Sequence, residues 1–352
     1  MGIEDLAAGL DDLSRNREAL ALLILQGERA LPVLSEVLLG PPSSIPDARC
    51  LAAEGLGTIG GQEAVSALIR VLTLRDVRRL DPVLRLAEEA IRNRAAEQLG
   101  RIGDRRAVEA LLYALAHEGV RAAMGALARF KEGRAIPHLV QRLEDPCDRA
   151  AAAEALVKFG SAAVPTLAAT LTEHRPSKTD EALMSIERRA EAAWLLGTIG
   201  DQSVIPLLCS CLDDPAPAVQ FEASLALAAL KGSETPDRAL AIITQGLNHP
   251  SPPVALRCMD ALVAAGDRTI FHVLSVAPPR RTPAVGPRRP GDDALQVSVI
   301  ETLERIGSEA SARAIGDFLQ DRSSLVRGRA QRALRHLGIA SNYQRHPYSV
   351  AG

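Results

Sequence analysis

The sequence predicts an all-α solenoid of about ten helical pairs, and three observations predict it. Apolar stretches end at or near a glycine at intervals of about 30 residues, a period typical of repeat architectures. Hydrophobic residues make up 47% of the chain but aromatic ones only 3%, which favours thin aliphatic core layers. Prolines interrupt the apolar segments between glycines. The stops after Gly27 are Gly60, Gly103, Gly133, Gly160, Gly200, Gly232, Gly266, Gly307 and Gly338.

Residues 202–232 show how one repeat is built. Apolar residues at helical spacing give way to DDPAPA, after which VQFEASLALAAL resumes the helical pattern up to Gly232. Asp213 and Asp214 are expected to cap the approach to the second helix, and Pro215 and Pro217 cannot lie inside a continuous helix. Each repeat is therefore predicted to be a helix, a tight turn and a second helix.

The segments that begin and end the repeats carry a family resemblance. AIPHLVQRLEDP (135–146), VIPLLCSCLDDP (204–215) and ALPVLSEVL (30–38) have a proline in the early turn. RNRAAEQLGRIG (92–103) and AEAAWLLGTIG (190–200) have a small alanine pair and a closing glycine. They resemble the two helices of bacterial HEAT repeats of the phycobilisome-lyase-like kind. The resemblance covers nearly the whole chain and implies the fold, but this family serves many functions.

We predict one solenoid domain over residues 1–340 and a C-terminal tail at 341–352. Three glycine intervals are longer than the rest, and the excess predicts longer loops inside repeats near 75–88, 173–185 and 277–293. The same turn in each repeat lies along one edge of a solenoid, so these inserts are expected on a common edge. Either they form a decorated binding rim, or they are insertions that such turns tolerate cheaply.

The third insert, APPRRTPAVGPRRPG, is rich in proline and arginine. It is expected to be extended, and its PxxP spacing suits an acidic or polyproline-reading partner. The alternative is a solvated loop without a partner.

Aligning the second helices on their closing position gives two outward columns. The resemblance to HEAT arrays implies that these columns line the concave groove. The first column is Glu54, Glu97, Gly125, Glu154, Trp194, Leu225, Asp260, Glu301 and Arg332, and the second is Thr58, Arg101, Arg129, Lys158, Thr198, Ala229, Ala264, Arg305 and His336. Most of their charge is expected to form ion pairs four residues apart on a solvated face.

Trp194, the chain's only tryptophan, replaces a carboxylate in the first column, and Leu225 follows it in the next repeat. We predict that Trp194 anchors a partner's apolar side chain, because aromatics dominate interface hot spots. Burial against a neighbouring helix or an insert is the alternative. The residues predicted to contact a partner are Trp194, Leu225, Thr198, Arg129, Lys158, Glu154, Arg101, Glu97, Arg280, Arg281, Arg288 and Arg289.

Arginines near the starts of second helices, at 49, 92, 121, 149, 188 and 327, admit a phosphate-binding interpretation. In similar arrays such an arginine pairs with a turn aspartate, here Asp145, Asp214 or Asp321, in a ladder between repeats. We predict the ladder, because arginine prefers bidentate carboxylate partners.

Catalytic motifs are missing from the sequence. HEAT-like deoxyhypusine hydroxylases bind iron through His-Glu pairs on second helices, and the matching positions, such as Asn93-Arg94 and Ala190-Glu191, lack histidine. HEAT-like glycosylases would need a basic groove with several aromatics. Bilin lyases share the repeat, but their activity leaves no motif that we can assign. We predict no catalytic residues, metal or cofactor.

The preferred function is a cytoplasmic protein-binding scaffold that grips a helix or extended segment in the groove and along the insert-bearing edge. The alternative is a lyase- or chaperone-like component that holds a chromophore or substrate protein. Nucleic-acid binding through the basic C-terminal repeat ranks last, because the net charge is −2. Five scattered cysteines indicate a reducing compartment, and no signal-peptide pattern or apolar run of membrane-spanning length was recognised.

Overall fold

A computed structural model of the 352-residue chain describes residues 2–43, 45–74, 77–117, 119–172, 183–230, 235–247, 249, 251–265, 292–307 and 309–338. Every regular element in these ranges is a helix, and the fold class is the predicted all-α solenoid. The chain groups into two compact units, Met1–Ala169 and Thr170–Gly352, which are described one at a time. This grouping does not test the predicted single domain at 1–340, and the predicted tail lies outside the described residues.

The first unit stacks helical pairs in two layers. Second helices α2, α4, α6, α8 and α10 contact one another in that order, as do first helices α1, α3, α5 and α7. The helices are α1 Ile3–Ala8, α2 Asn16–Leu25, α3 Leu31–Leu39, α4 Asp47–Ile59, α5 Gly61–Thr73, α6 Pro82–Ile102, α7 Val108–His117, α8 Arg121–Phe130, α9 Ile136–Arg142, α10 Arg149–Phe159 and α11 Val164–Thr172, the last of which ends beyond the unit boundary. Leu56, Leu99 and Leu127 are fully buried between the layers.

The second unit repeats the arrangement. Second helices α12, α14, α16, α17 and α19 contact one another in that order, while α13, α15 and α18 pack on them as first helices. The helices are α12 Leu183–Ile199, α13 Ile205–Cys211, α14 Pro217–Ala229, α15 Asp237–Gly246, α16 Pro252–Ala265, α17 Asp292–Ile306, α18 Glu309–Gly316 and α19 Ser324–His336. Ile243, Met259, Leu262 and Ile300 belong to one buried apolar cluster.

Among the described residues, the proline and glycine signals act where the sequence predicts them, with one exception. The predicted stops Gly232 and Gly266 lie outside the described residues. Pro217 is the first residue of α14, and Gly103 ends α6 in the left-handed conformation with φ 77°. Gly133 is not a helix stop. Helix α8 ends earlier, and Lys131 takes the left-handed position with φ 54° while Gly133 begins a short 3-10 turn.

The predicted loops are shorter than expected, because second helices extend into them. Asp81 accepts hydrogen bonds from the backbone N–H groups of Val83 (3.0 Å) and Leu84 (3.1 Å) and caps α6, so residues 82–88 of the first insert are helical. Residues 183–185 of the second insert belong to α12, and 292–293 of the third to α17. Residues 173–182 and 277–291 lie outside the described parts of the chain.

The stretch Arg149–Thr172 is long enough to span a membrane and contains an 18-residue window with a mean hydropathy of 1.3, contrary to the sequence-based expectation. It comprises α10, a 3-10 turn at Gly160–Ala163 and α11, and Gly160 has a positive φ of 63°. Leu156 and Leu167 within it are fully buried in the protein. The structure therefore uses this stretch as repeat core.

Candidate functional site

The arginine near the start of α12 holds the turn before α14. Arg189 donates to both carboxylate oxygens of Asp214, at 2.6 and 3.1 Å, and the side chains are 1% and 2% exposed. Asp214 also accepts a hydrogen bond from the backbone N–H of Ala216 at 2.9 Å. Ala216 is itself the N-cap residue of α14, and no side chain caps that helix, so Asp214 holds the turn and the predicted aspartate cap is wrong. The sequence-based prediction for this helix was Arg188, but the pair uses Arg189. Neighbouring side chains on a helix point in directions about 100° apart, so a shift of one residue changes the partner.

The first unit contains the equivalent pair, again with a shifted partner. Arg121 on α8 donates to Asp148 at 3.1 Å, whereas the predicted partner Asp145 accepts a hydrogen bond from the backbone N–H of Cys147 at 2.8 Å. Arg149 binds the backbone carbonyl of Leu143, and Arg327 binds that of Asp321. Arg49 binds the carbonyl of Leu38 and also forms a buried ion pair with Glu88 on α6, in the next repeat. These contacts support the predicted structural role.

In each unit the outward columns form what we call the second-helix surface of that unit, and all but one of the column members are at least partly exposed. The exception is Leu225, which is 6% exposed and belongs to the buried cluster that includes Ile243 and Met259. Its predicted outward position is therefore wrong. The reason is that α14 is apolar on most of its circumference and lies between α12 and α16, so it buries more of its surface than α6 does.

The predicted ion pairs form only in part. Lys158 donates to Glu154 at 2.6 Å, as expected for residues four apart. Glu97 accepts instead from Arg94 at 3.0 Å, while Arg101 donates to Gln98. Exposed pairs of this kind contribute about 0.2–1 kcal/mol each.

A pocket of about 330 Å³ in the first unit lies across α6, α8 and α10. The predicted residues Glu97, Arg129, Glu154 and Lys158 are brought together around it. Its floor includes Gly100, where an added Cβ would lie 2.8 Å from the Cβ of Ala126. The lining has two carboxylates and three cations, and one of the cations, Arg121, is paired with Asp148 outside the lining. The charges therefore balance, as on a solubilising face.

The second unit has a pocket of about 250 Å³ across α12, α14 and α16, which we call the Trp194 pocket. It brings together the predicted Trp194, Thr198 and Leu225, and Trp194 is only partly buried. Thr198 is fixed by donating to the carbonyl oxygen of Trp194 at 3.0 Å. An aromatic wall beside an apolar floor can accommodate one inserted side chain.

Arg257 and Asp260 from α16 complete the rim of the Trp194 pocket. The Arg257 guanidinium donates to both oxygens of Glu222, at 2.7 and 2.6 Å, and lies 5.8 Å from the centre of the Phe221 ring. The hydrogen bonds with Glu222 raise the pKa of Arg257 above its ordinary value. Arg257 is therefore a fixed and neutralised part of the rim.

Cys258 lies beside this rim but faces the core. Burial raises the pKa of its thiol to about 12, so the side chain stays protonated at neutral pH and is a poor nucleophile. Among the described residues, no three His, Cys, Asp or Glu side chains converge as metal ligands would.

Arg257 and Glu222 were missed by the sequence analysis. Both belong to a third column, nine residues before the closing position, which also contains Glu191. Aligning the repeats at this column places a glutamate, Glu222, in one repeat and an arginine, Arg257, in the next, which is a signal for an ion pair between repeats. The predicted insert residues Arg280, Arg281, Arg288 and Arg289 lie outside the described residues.

Family comparisons identify the repeat. The family described as HEAT repeats matches residues 80–156 and 179–263, and the PBS lyase HEAT-like repeat matches 48–73 and 148–173. Together they cover more than half of the chain. The protein is a HEAT-repeat protein. A search of curated proteins found no match to this HEAT-repeat chain.

Solved structures with this fold include a Kap121p mutant, with a TM-score of 0.51, 13% identity and coverage of 97% of this chain and 46% of that one. Kap121p bound to Pho4p gives a TM-score of 0.50 at 12% identity, with the same coverage. The CpcE–CpcF complex of phycocyanin lyase from Nostoc sp. PCC7120 gives 0.34 at 22% identity, covering 69% of this chain and 92% of that one.

Proposed function

We propose that this HEAT-repeat protein is a non-catalytic protein-binding scaffold whose Trp194 pocket accepts a side chain of a partner polypeptide. The observation that carries the proposal is the partly exposed Trp194 beside a preformed pocket on the second-helix surface. Tryptophan in such a position gives large contact area at little entropic cost. Kap121p, which has a similar fold, has been solved bound to Pho4p, so a fold of this kind can hold another protein.

The ends of the second helices at the inserts offer further contact area. Val83 and Leu86, near the start of α6, are 61% and 69% exposed, and Leu183 at the start of α12 is 69% exposed. We propose that the insert-bearing edge contributes to partner binding in each unit, with Trp194 as the anchor in the second.

The test is the affinity for a partner first isolated with the tagged wild-type protein and then purified. Trp194→Ala is expected to weaken binding about 30-fold, which corresponds to a hot spot of about 2 kcal/mol. Tyr113→Ala is the matched control, because Tyr113 is an aromatic on first helix α7 and 47% exposed. Equal affinities for wild type and Trp194→Ala, with unchanged helicity, would overturn the proposal.

A second candidate is a lyase-like or chaperone-like component that holds a chromophore or substrate protein. The matches of the PBS lyase HEAT-like repeat at 48–73 and 148–173 favour it. Co-expression with a bilin and its acceptor protein tests it, since a coloured adduct dependent on this chain would support it.

Nucleic-acid binding through α19 has less support. Arg329 pairs with Glu301 at 3.2 Å and with Glu304 at 2.5 Å, and Arg327 donates to backbone carbonyls. Both arginines therefore make contacts within the protein. We also propose a cytoplasmic location, based on cysteines that are unpaired in the structure.

A further inference from the structure

Asp260 stands out on the rim of the Trp194 pocket. It is exposed on α16 and makes no hydrogen bond or ion pair within the described parts of the chain. The other charged rim residue, Arg257, is held by Glu222. Asp260 is therefore an accessible carboxylate beside a preformed pocket with an aromatic wall.

The charges around this pocket are unbalanced. Glu191 lies close enough to Arg257 to raise its pKa, although less than Glu222 does. Arg257 is neutralised by its ion pair with Glu222, so the charged residues that line the pocket leave the carboxylate of Asp260, a formal charge of −1. This local field favours a cation over a neutral or acidic group.

The floor and wall of the pocket beside Asp260 are apolar. The buried residues Leu225 and Ala226 form the floor, the exposed Ala229 lies beside them, and Trp194 forms the wall. A long side chain with an aliphatic stem and a terminal cation matches both features, because the stem packs on apolar atoms while the cation faces an aromatic ring and a carboxylate. A purely apolar side chain would not pair with the carboxylate of Asp260.

We infer that the Trp194 pocket takes a basic side chain, an arginine or lysine, of the partner segment. This inference rests on the proposed function, because the occupant belongs to a partner polypeptide. It goes beyond that proposal by giving the occupant a charge. A partner bound through an apolar anchor alone would satisfy the proposed function and not this inference.

Trp194 provides the assay, because it is the only tryptophan and its fluorescence reports on this pocket alone. The probe is the capped peptide Gly-Arg-Gly, and the control probe is the same peptide with citrulline, a neutral isostere of arginine. Ionic strength is matched with salt. The arginine peptide is expected to change the fluorescence saturably, with a dissociation constant on the order of 10 mM for a single side chain.

Asp260→Asn keeps the size of the side chain and removes its charge. It is expected to weaken binding of the arginine peptide about two- to five-fold, as for an exposed ion pair. Glu36→Gln is the matched control, because Glu36 is an exposed carboxylate on α3 in the first unit. Added salt is expected to weaken wild-type binding more than binding to Asp260→Asn.

An equal response to the citrulline peptide, no saturable response to the arginine peptide, or equal affinities of wild type and Asp260→Asn would overturn the inference. Tighter binding of a Gly-Leu-Gly peptide would overturn it too while supporting an apolar anchor. The proposed function fails separately, when Trp194→Ala leaves the affinity for the purified partner unchanged.

Discussion

Replacement of Gly197 by alanine is expected to destabilise the second unit, although alanine is the better helix former. An added Cβ at Gly197 would lie 2.5 Å from the Cα and 2.6 Å from the Cβ of Ala226. Carbon atoms in contact are normally about 3.5–4.0 Å apart. Because the nearest atom belongs to the backbone, α12 and α14 must separate, and we assign the upper overpacking cost of about 3 kcal/mol. Helix propensity returns about 1 kcal/mol, which leaves a net loss of about 2 kcal/mol.

Gly328→Ala is the matched control, since Gly328 lies inside α19 with nothing within 4 Å of an added Cβ. It is expected to stabilise by about 0.5–1 kcal/mol through helix propensity alone. Thermal unfolding followed by circular dichroism measures both variants, and the loss at Gly197 corresponds to about 4–8 °C in Tm. Ala226→Gly should not rescue Gly197→Ala, because the Cα of residue 226 remains. A stabilised Gly197→Ala, or shifts of the same sign in both variants, would refute the close-packing argument.

Two further predictions concern buried groups. Arg189→Met leaves the buried carboxylate of Asp214 without its cation and is expected to lower the free energy of unfolding in urea by about 3–5 kcal/mol. The double variant Arg189→Met with Asp214→Leu is expected to lose less stability, because no unpaired charge remains buried. Equal losses of stability in the two variants would contradict the prediction. Since burial raises the pKa of Cys258 from 9.0 to about 12, the unfolded chain loses this proton first as pH rises. The contribution of Cys258 to the free energy of unfolding is therefore fully present below pH 9 and is lost between about pH 9 and 12. The free energy of unfolding of Cys258→Ala should fall less over that range than that of the wild type, and parallel declines would contradict this.

The helical pairs could be predicted because their signals are local. Pro217 starts α14 and Gly103 ends α6 through backbone geometry that needs no tertiary contact. Lys131 could not be predicted as a helix stop, because a non-glycine residue adopts the left-handed conformation only when the surrounding structure holds it there. The Nζ of Lys131 bonds to the carbonyl oxygen of Lys158 in the next repeat, a contact that sequence alone does not reveal.

The sequence predicted some of the residues that line the Trp194 pocket but not how deeply each is buried, and α14 explains the difference. On α6 the exposed Glu97 and buried Leu99 define an outward side, so alignment gives the rotation of the helix. On α14 the run SLALAAL is apolar on every side, and its rotation depends on packing against α12 and α16. The close approach at Gly197 sets that packing and turns Leu225 into the floor of the pocket beside Trp194. The affinity of this pocket should therefore respond to the α12–α14 spacing, and Gly197→Ala should weaken partner binding as well as fold stability.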